Sequence, residues 1–260
     1  MKSDFDKAAN SYDEEFTYSS IGTIQRNQVW KYLNEEVVDK QSIKILELNC
    51  GTGEDAVRFA QKGHEVVATD ISENMLKVAN EKSDNLQISY RVLDLNKIEE
   101  FEGGKDFDLV FSNFGGLNCV SSDAIRKLGE VVSKMLKPNG RFVAVVMPEF
   151  CLWETVYFLL KGRWKEAFRR AKEYAMANVS GEQVKTYYFS PGKFKKLNAD
   201  HFTTEILKPI GLHIPPSYLE NFLKRRPALL NLLDKLDTVF ARYSWQAYLS
   251  DHYYIQFSKK

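Results

Sequence analysis

The feature that most constrains the fold is a regular alternation of short apolar runs and amphipathic segments between residues 43 and 147. Each run is four to seven residues long and rich in β-branched or apolar side chains, as strands of a buried sheet are. Strands joined by helices run parallel and are connected by right-handed crossovers. The sequence therefore predicts an α/β sheet whose first five strands are residues 43–48, 64–70, 88–94, 107–113 and 141–147.

The two flanks of this core are predicted to form a helical cap rich in aromatic residues. Residues 1–42 are expected to be helical, and residues 150–178 are expected to form a long helical stretch containing Trp153 and Trp164. A sixth strand is predicted near residues 203–213 and a last strand at 252–257, and no linker separates the pieces. The predicted organisation is an N-terminal cap (1–42), an α/β core (43–147), a cap insertion (148–200) and the end of the core sheet with a further helical insertion (201–260).

Composition excludes several functional classes. The 36 Lys and Arg residues nearly balance the 35 Asp and Glu residues, which disfavours a protein built mainly to bind nucleic acid or an anionic membrane. Three scattered cysteines, Cys50, Cys119 and Cys151, indicate neither a disulfide framework nor a metal site and fit a reducing compartment. Residues 1–6 lack the apolar segment of a signal peptide. We therefore expect a cytoplasmic protein without a membrane span or a bound metal.

The turn between the first strand and the first helix contains a glycine motif. Residues 51–56 satisfy the dinucleotide fingerprint Gly-x-Gly-x-x-Ala, and Asp70 closes the second strand as a ribose-binding acid does. Three carboxylates, Glu47, Glu54 and Asp55, surround the turn and would repel a pyrophosphate at the helix N-terminus. They favour a cofactor that carries positive charge, although the fingerprint leaves an NAD-dependent oxidoreductase as an alternative.

Taken in order and spacing, these elements resemble class I S-adenosylmethionine-dependent methyltransferases. The resemblance rests on the segment 47–53, on Asp70 at the end of strand two, on Asp94-Leu95 at the end of strand three and on Phe107-Asp108 leading to Asn113. Lys137-Pro138-Asn139-Gly140 before the fifth strand is a further family mark. The flanks are similar to the branch that acts on small molecules of quinone and natural-product pathways.

The resemblance implies a doubly wound, seven-stranded, mostly parallel sheet whose strand 7 is antiparallel and inserted beside strand 5. It also implies that Glu47 shapes the loop under the cofactor's amino-acid end, while Gly51 and Gly53 let the backbone approach it. The family's usual first glycine is Asn49 here, which puts the local turn geometry in doubt. Cys50 lies in the same loop.

Further roles follow from the same resemblance. Asp70 would accept hydrogen bonds from the ribose hydroxyls, Ile71 would pack on the adenine, and Asp94 with Leu95 would read the adenine edge. Asn113 and Phe114 would lie beside the transferable methyl group, Arg26 would pair with the cofactor's carboxylate, and Tyr12 would close over the cofactor. An N-terminal pattern of Phe5-Asp6, Tyr12-Asp13, Gly22 and Arg26 is similar to that branch. The predicted cofactor-binding residues are Glu47, Asn49, Cys50, Gly51, Gly53, Asp70, Ile71, Met75, Asp94, Leu95, Asn113, Phe114, Arg26 and Tyr12.

The implied reaction is methyl transfer to a small, partly apolar or aromatic metabolite, with oxygen as the expected methyl acceptor. His201, His213 and His252 are each possible general bases, and no catalytic residue is assigned. RNA or protein methylation is an alternative, disfavoured because the turn Ser112-Asn113-Phe114-Gly115 lacks the two prolines typical of amino-group methyltransferases. A catalytically silent cofactor-binding partner is a third hypothesis. The acceptor and the oligomeric state are not predicted.

Overall fold

The sheet that organises this protein has seven strands and two covered faces. The computed structural model describes residue 6 and residues 8–34, 42–179 and 181–260. Successive residues of a central strand enter different apolar clusters, since Leu46 and Leu48 pack on one face and Ile45 on the other. Burial on both faces explains why the strands read as continuous apolar runs in the sequence.

The strand order places a topological switch at the middle of the sheet. The order is β3-β2-β1-β4-β5-β9-β8, so the chain moves outward from β1 in one direction and then returns to β1's other side at β4. Ligands of such sheets bind at the carboxyl ends of the strands beside the switch. The strands are β1 (Lys44–Leu48), β2 (Glu65–Asp70), β3 (Ile88–Val92), β4 (Phe107–Ser112), β5 (Leu136–Val146), β8 (Phe202–Ile210) and β9 (His252–Lys259).

The predicted fold class is confirmed, including the direction of the last strand. β1 to β5 pair in parallel, whereas β9 is antiparallel to both β5 and β8. β9 therefore begins at the edge of the sheet where β1, β4 and β5 end, because Val146 at the end of β5 pairs with Tyr253.

Helices of the core begin where the sequence places capping residues. Ser72 accepts a hydrogen bond from the backbone N–H of Met75 at the start of α3, as its position before Glu73 predicts. Ser19 does the same for Gly22 in the N-terminal helix. The helices of this part are α1 (Ser20–Leu33), α2 (Glu54–Gln61), α3 (Glu73–Lys82) and α4 (Ser122–Met135).

The segment after β5 differs from the sequence-based expectation. The predicted helical stretch over 150–178 is wrong at its end, where β6 (Tyr174–Val179) pairs with β7 (Glu182–Tyr187) in an antiparallel hairpin. Gly162 at φ +68° ends α5 (Leu152–Leu160), as a left-handed residue after a helix does. Residues 174–178 then alternate between exposed and half-buried, the two-residue period of a strand.

The remaining helical segments agree with expectation more closely. They are a π-helical turn Asp13–Thr17, α6 (Trp164–Ala167), α7 (Pro191–Asn198), α8 (Glu220–Leu223) and α9 (Pro227–Phe240). Within the predicted cap 1–42, residues 1–5, 7 and 35–41, and with them Phe5, lie outside the described residues. The division into cap and core at residues 42 and 147 stays a prediction. None of the helices among the described residues has the length and apolar character needed to cross a bilayer.

Gly53 provides a test of how α3 packs against the turn that precedes α2. Gly53 has φ +79°, and a Cβ there would lie 2.7 Å from the Cβ of Ala79. Gly63 has a similar φ of +85° but open space around the same position. We expect Gly53→Ala to lower the free energy of unfolding by about 1–3 kcal/mol more than Gly63→Ala, since only the former adds overpacking to backbone strain. Thermal or urea unfolding of both variants measures the difference, and equal losses would show that α3 moves away without cost.

Candidate functional site

The turn after β1 is built from three residues in the left-handed region. Asn49, Gly51 and Gly53 have φ values of +56°, +54° and +79°. Asn49, which stands where the family has a glycine, thus adopts the conformation that a glycine would, and asparagine is among the few other residues that tolerate it. The result is a tight loop whose Cys50 N–H donates to the carbonyl oxygen of Thr69 at 2.8 Å.

A cavity lies between this turn and the N-terminal segment, and we call it the turn cavity. It occupies the carboxyl ends of β1, β2 and β4, the place that the strand order predicts for a ligand. Its volume is about 120 Å³. It is lined by Tyr12, Thr17, Arg26, Glu47, Asn49, Cys50, Gly51, Thr52, Glu54, Asp55, Asp70, Ile71, Met75, Asn113, Phe114, Gly115, Gly116 and Cys119.

Eleven of the fourteen predicted cofactor-binding residues belong to this lining, and their roles there remain predictions. Gly51 faces open space, since a Cβ built on it would meet no atom within 4 Å. Asp70 is buried with one carboxylate oxygen accepting from the N–H of Gly51 at 3.0 Å and the other from Ser72 N–H at 2.9 Å. The loop thus presents bare backbone beside a fixed carboxylate, which fits a nucleoside-type ligand.

Three predicted residues lie outside the lining, and each has a structural explanation. Gly53 faces Ala79, as the overpacking distance above indicates. Asp94 bonds locally, accepting from both the backbone and the side-chain nitrogens of Asn96 at 2.9 Å, which is an Asx-type turn. Leu95 is buried in the apolar cluster that covers one face of the sheet.

Arg26 has a partner within the protein, whereas the sequence predicted the cofactor's carboxylate. Its guanidinium Nη1 pairs with Oδ2 of Asp55 in α2, and its plane lies 5.2 Å from the ring centroid of Phe114. Asp55 also accepts from the indole N–H of Trp30 at 2.6 Å and from Asn113 Nδ2 at 2.8 Å. The Arg26 Nε atom is buried and has no hydrogen-bond partner among the described residues.

Neighbouring cations balance the negative charge of two acidic residues around the turn, Asp55 and Glu54. Burial tends to raise the pKa of Asp55, but Arg26, Trp30 and Asn113 lower it below its usual range, so Asp55 is a paired carboxylate. Glu54 accepts from the hydroxyl of Tyr18 and lies 3.6 Å from Lys82 Nζ. The sequence-based reason for a positively charged cofactor, a ring of three free carboxylates, is therefore wrong.

Glu47 differs from Asp55 and Glu54, because it forms no ion pair with a cation among the described residues. It is 2% exposed, and its Oε2 has no hydrogen-bond partner among the described residues. Burial first, and then the charges of Asp55 and Asp70, raise the pKa of Glu47 well above the ordinary value. The side chain is accordingly held in its neutral, protonated form over a wider pH range than an exposed glutamate.

The N-terminal segment closes the turn cavity through polar contacts. Asp6 accepts from the hydroxyl of Ser72 at 2.6 Å, and Asp13 accepts from Thr52 Oγ1 at 2.6 Å and from Lys82 Nζ at 2.7 Å. Behind them, Tyr12 is half-buried, and loss of solvent around its hydroxyl raises its pKa to about 12, so the phenol stays neutral.

A second cavity, which we call the cap cavity, adjoins the first and is larger and more apolar. Its volume is about 280 Å³. The two cavities share the wall formed by Tyr12, Thr17, Arg26, Phe114, Gly115 and Cys119. The other lining residues come from the π-helical turn, α1, the end of β5, β6, β7 and the segments around α5, α6, α8 and β9: Phe16, Ser19, Ile21, Gly22, Gln25, Met147, Glu154, Arg169, Arg170, Ala177, Val184, Thr186, Pro216, Ser217, Tyr218, Asp251 and His252.

Sequence reasoning missed the charged cluster in the wall of the cap cavity. Glu154, 2% exposed, accepts from Arg169 Nε at 2.7 Å and from Arg170 Nη2 at 2.9 Å, and Arg170 also donates to Asp251 Oδ1 at 2.8 Å. Burial would raise the pKa of Glu154, but the two guanidinium groups lower it below the usual range. The bonded partners are up to 81 residues apart in the chain, so no local spacing could indicate them.

Known protein families and relatives match part of this chain. Residues 45–140 match a family model described as a methyltransferase domain. A Bacillus subtilis protein named as a methyltransferase, YqeM, is 33% identical over 56% of this chain and 56% of its own length. The demethylmenaquinone methyltransferase of Bacillus cereus is 30% identical over 54% of this chain and 59% of its own length. The matches thus span only a little more than half of these relatives.

Solved structures share the fold along most of the chain. The magnesium protoporphyrin IX methyltransferase of Synechocystis, solved with bound SAH, has a TM-score of 0.59 over 92% of this chain and 85% of its own, at 14% identity. An S-adenosylmethionine dependent methyltransferase from Mesorhizobium loti has a TM-score of 0.56 over 89% and 97%, at 17% identity. At such identities the likeness concerns the fold.

The environment of Glu47 predicts a specific pH dependence of stability. When the pKa of a carboxyl group is higher in the folded than in the unfolded state, the free energy of unfolding falls as pH rises above the unfolded pKa. Glu47 is such a group. We expect Glu47→Gln to be increasingly more stable relative to the unsubstituted protein as pH is raised from 4 to 8, whatever constant offset the amide introduces. Urea unfolding at several pH values measures this difference. A difference that does not change with pH would show that Glu47 ionises normally.

Proposed function

We propose that this chain, whose residues 45–140 form a class I S-adenosylmethionine-dependent methyltransferase domain, transfers a methyl group from S-adenosylmethionine to a small, partly apolar metabolite. The observation that carries the proposal is the pair of adjoining cavities with one shared wall. The turn cavity would hold the cofactor, and the cap cavity would hold the acceptor.

The residues of the turn cavity fit S-adenosylmethionine. Asp70 would accept hydrogen bonds from the ribose hydroxyls, and Ile71 and Met75, which line the same cavity, would supply apolar contacts. The free Nε–H of Arg26 is suited to the cofactor's carboxylate, even though the rest of that guanidinium is committed to Asp55. A volume of about 120 Å³ is below that of ordinary small-molecule sites, so we infer that the N-terminal segment shifts outward when the cofactor enters.

The cap cavity favours an acceptor of mixed character. Apolar side chains such as Ile21, Met147 and Val184 form much of its surface, while the charged cluster around Glu154 and Arg170 occupies one side. An aromatic or partly apolar molecule with one polar end would match that division. The demethylmenaquinone methyltransferase of Bacillus cereus bears a name that fits such an acceptor, and quinone-like compounds are therefore a reasonable first class to test.

The chemistry requires positioning and exclusion of water more than bond activation by the protein. When bound, S-adenosylmethionine supplies a methyl group on a positively charged sulfur, which a nucleophile can displace in line. Phe114 and Tyr12 lie in the wall common to both cavities, so they border the place where acceptor and cofactor would meet. Holding the two groups in contact can supply about 7–11 kcal/mol of the barrier. We propose oxygen as the methylated atom, as expected from the sequence.

Methylation of RNA or protein is the competing function. The near balance of charge and the absence of two prolines after Asn113 disfavour it. A macromolecular acceptor would place one residue or base in the cap cavity and the rest outside it. Fractionating the acceptor source by size therefore separates the two proposals.

Cofactor binding is the first prediction. We expect S-adenosylhomocysteine to bind and to raise the melting temperature. We expect Asp70→Asn to weaken that affinity at least about tenfold, or about 1.4 kcal/mol, because an amide oxygen accepts hydrogen bonds more weakly than a charged carboxylate does. Asp123→Asn, a substitution of a side chain that is 92% exposed on α4, is the matched control and should leave the affinity unchanged. Isothermal titration calorimetry measures both. A melting shift with NADH and none with S-adenosylhomocysteine would support an oxidoreductase instead.

Methyl transfer is the second prediction. We expect incubation with methyl-labelled S-adenosylmethionine and a metabolite extract to give a labelled product of low molecular mass, detected by mass spectrometry as an added CH₂. A heat-denatured sample and the Asp70→Asn variant serve as controls. Label found only in RNA or protein would contradict a small-molecule acceptor, and cofactor binding with no labelled product in any fraction would favour a catalytically silent partner.

A further inference from the structure

One histidine stands at the junction of the two cavities. His252 begins β9, next to the carboxyl end of β5, because β9 is antiparallel to that strand. Its side chain is 13% exposed and lines the cap cavity. The imidazole packs edge-on against Phe114, with ring centroids 5.4 Å apart and planes at 89°. His252 therefore contacts a ring that belongs to the wall shared by the two cavities.

The neighbouring carboxylate faces one particular nitrogen of this imidazole. Nδ1 of His252 lies 3.2 Å from Oδ2 of Asp251, which is ion-pair distance, although the angles are not those of a hydrogen bond and no other described residue bonds to Nδ1. Asp251 is itself fixed, since its oxygens accept from Arg170 Nη2 at 2.8 Å and Gln25 Nε2 at 3.3 Å. A proton on Nδ1 shared with this carboxylate leaves the lone pair on Nε2.

The charged groups in the wall around the pair balance one another. Glu154 and Asp251 balance Arg169 and Arg170 in the same wall. Burial would raise the pKa of Asp251, but His252 and Arg170 outweigh it, so that carboxylate stays ionised. The other titratable or charged groups that line this cavity are Tyr218 from the segment before α8, Arg26 from α1, Tyr12 before α1, and Cys119 after β4.

We propose that His252, oriented by Asp251, is the general base that removes the proton from a hydroxyl group of the acceptor. The inference rests on the proposed methyl transfer and narrows the acceptor to a small molecule with an ionisable hydroxyl, such as a phenol or an enol. The acceptor's O–H bond breaks and its proton goes to Nε2, giving an imidazolium beside Asp251. The oxygen's electron pair forms the O–CH₃ bond as the C–S bond breaks, and that bond's electron pair stays on sulfur as a neutral thioether.

The other three histidines lie elsewhere. Nδ1 of His64 accepts from the backbone N–H of Ile43, and Nδ1 of His213 is 2.8 Å from Asp237 Oδ1. His201 precedes β8, and β8 runs parallel to β5. His201 therefore lies at the amino end of these strands, opposite to the carboxyl end where the cavities are. Neither cavity includes any of the three in its lining.

The protonation state of His252 tests the inference without any acceptor. Nitrogen-15 NMR of the histidine-labelled protein, with its four histidines assigned by substitution, reports which ring nitrogen carries a proton. At pH 7.5 we expect neutral His252 with the proton on Nδ1, and loss of this preference in Asp251→Asn. A proton on Nε2, or an imidazolium at that pH, would overturn the proposal because neither form can accept a proton at Nε2.

Kinetics provide the second arm, using the acceptor identified by methyl-labelled S-adenosylmethionine. We expect His252→Gln to lower kcat by about 10²–10⁴-fold and to keep the affinity for S-adenosylhomocysteine within about threefold. The variant's rate should rise with pH as the acceptor ionises unaided, which a merely structural defect would not produce. His201→Gln is the matched control with unchanged kcat. If the unsubstituted protein does not bind S-adenosylhomocysteine, the proposed function is refuted. An unchanged kcat in His252→Gln refutes only the role of His252 as general base.

Discussion

The site depends on one buried ion pair between α1 and α2. Asp55, in the first turn of α2, is bound by Arg26 and Trp30 from α1 and by Asn113 from the end of β4. A buried carboxylate without such partners would cost several kcal/mol, so Asp55 ties these three elements to each other. The same contacts place Phe114 beneath the guanidinium of Arg26 and thus set the wall between the two cavities.

The electrostatics of the turn show why counting charges in a sequence can mislead. The cofactor expected from the sequence agrees with the family of residues 45–140, but the reason given for it was the surplus of carboxylates. In the folded chain, Asp55 is neutralised by Arg26, and Glu47 is favoured in its protonated form by burial. The glycine loop and the fixed carboxylate of Asp70 then remain as the features that suit an adenosyl ligand.

Sequence patterns predicted the sheet well because its central strands are buried on both faces and its helices have local capping signals. Asn49 in place of a glycine left the turn geometry open in the sequence, and its φ of +56° is a conformation that asparagine tolerates. The first strand of the hairpin, β6, was predicted as the end of a helical stretch, because its apolar alternation is weak and it depends on pairing with β7. The ion pair of Arg26 with Asp55 was also missed, because the sequence does not determine which residue of a neighbouring helix contacts Arg26.

The shared wall has a thermodynamic consequence for how the two ligands would bind. Tyr12 and Thr17 belong to both cavities and lie in the segment that Asp6 and Asp13 fasten to Ser72, Thr52 and Lys82. Any displacement of that segment by one occupant alters the room left for the other. Affinities for the two occupants are therefore linked, and linkage acts equally in both directions: whatever factor the first imposes on the second, the second imposes on the first.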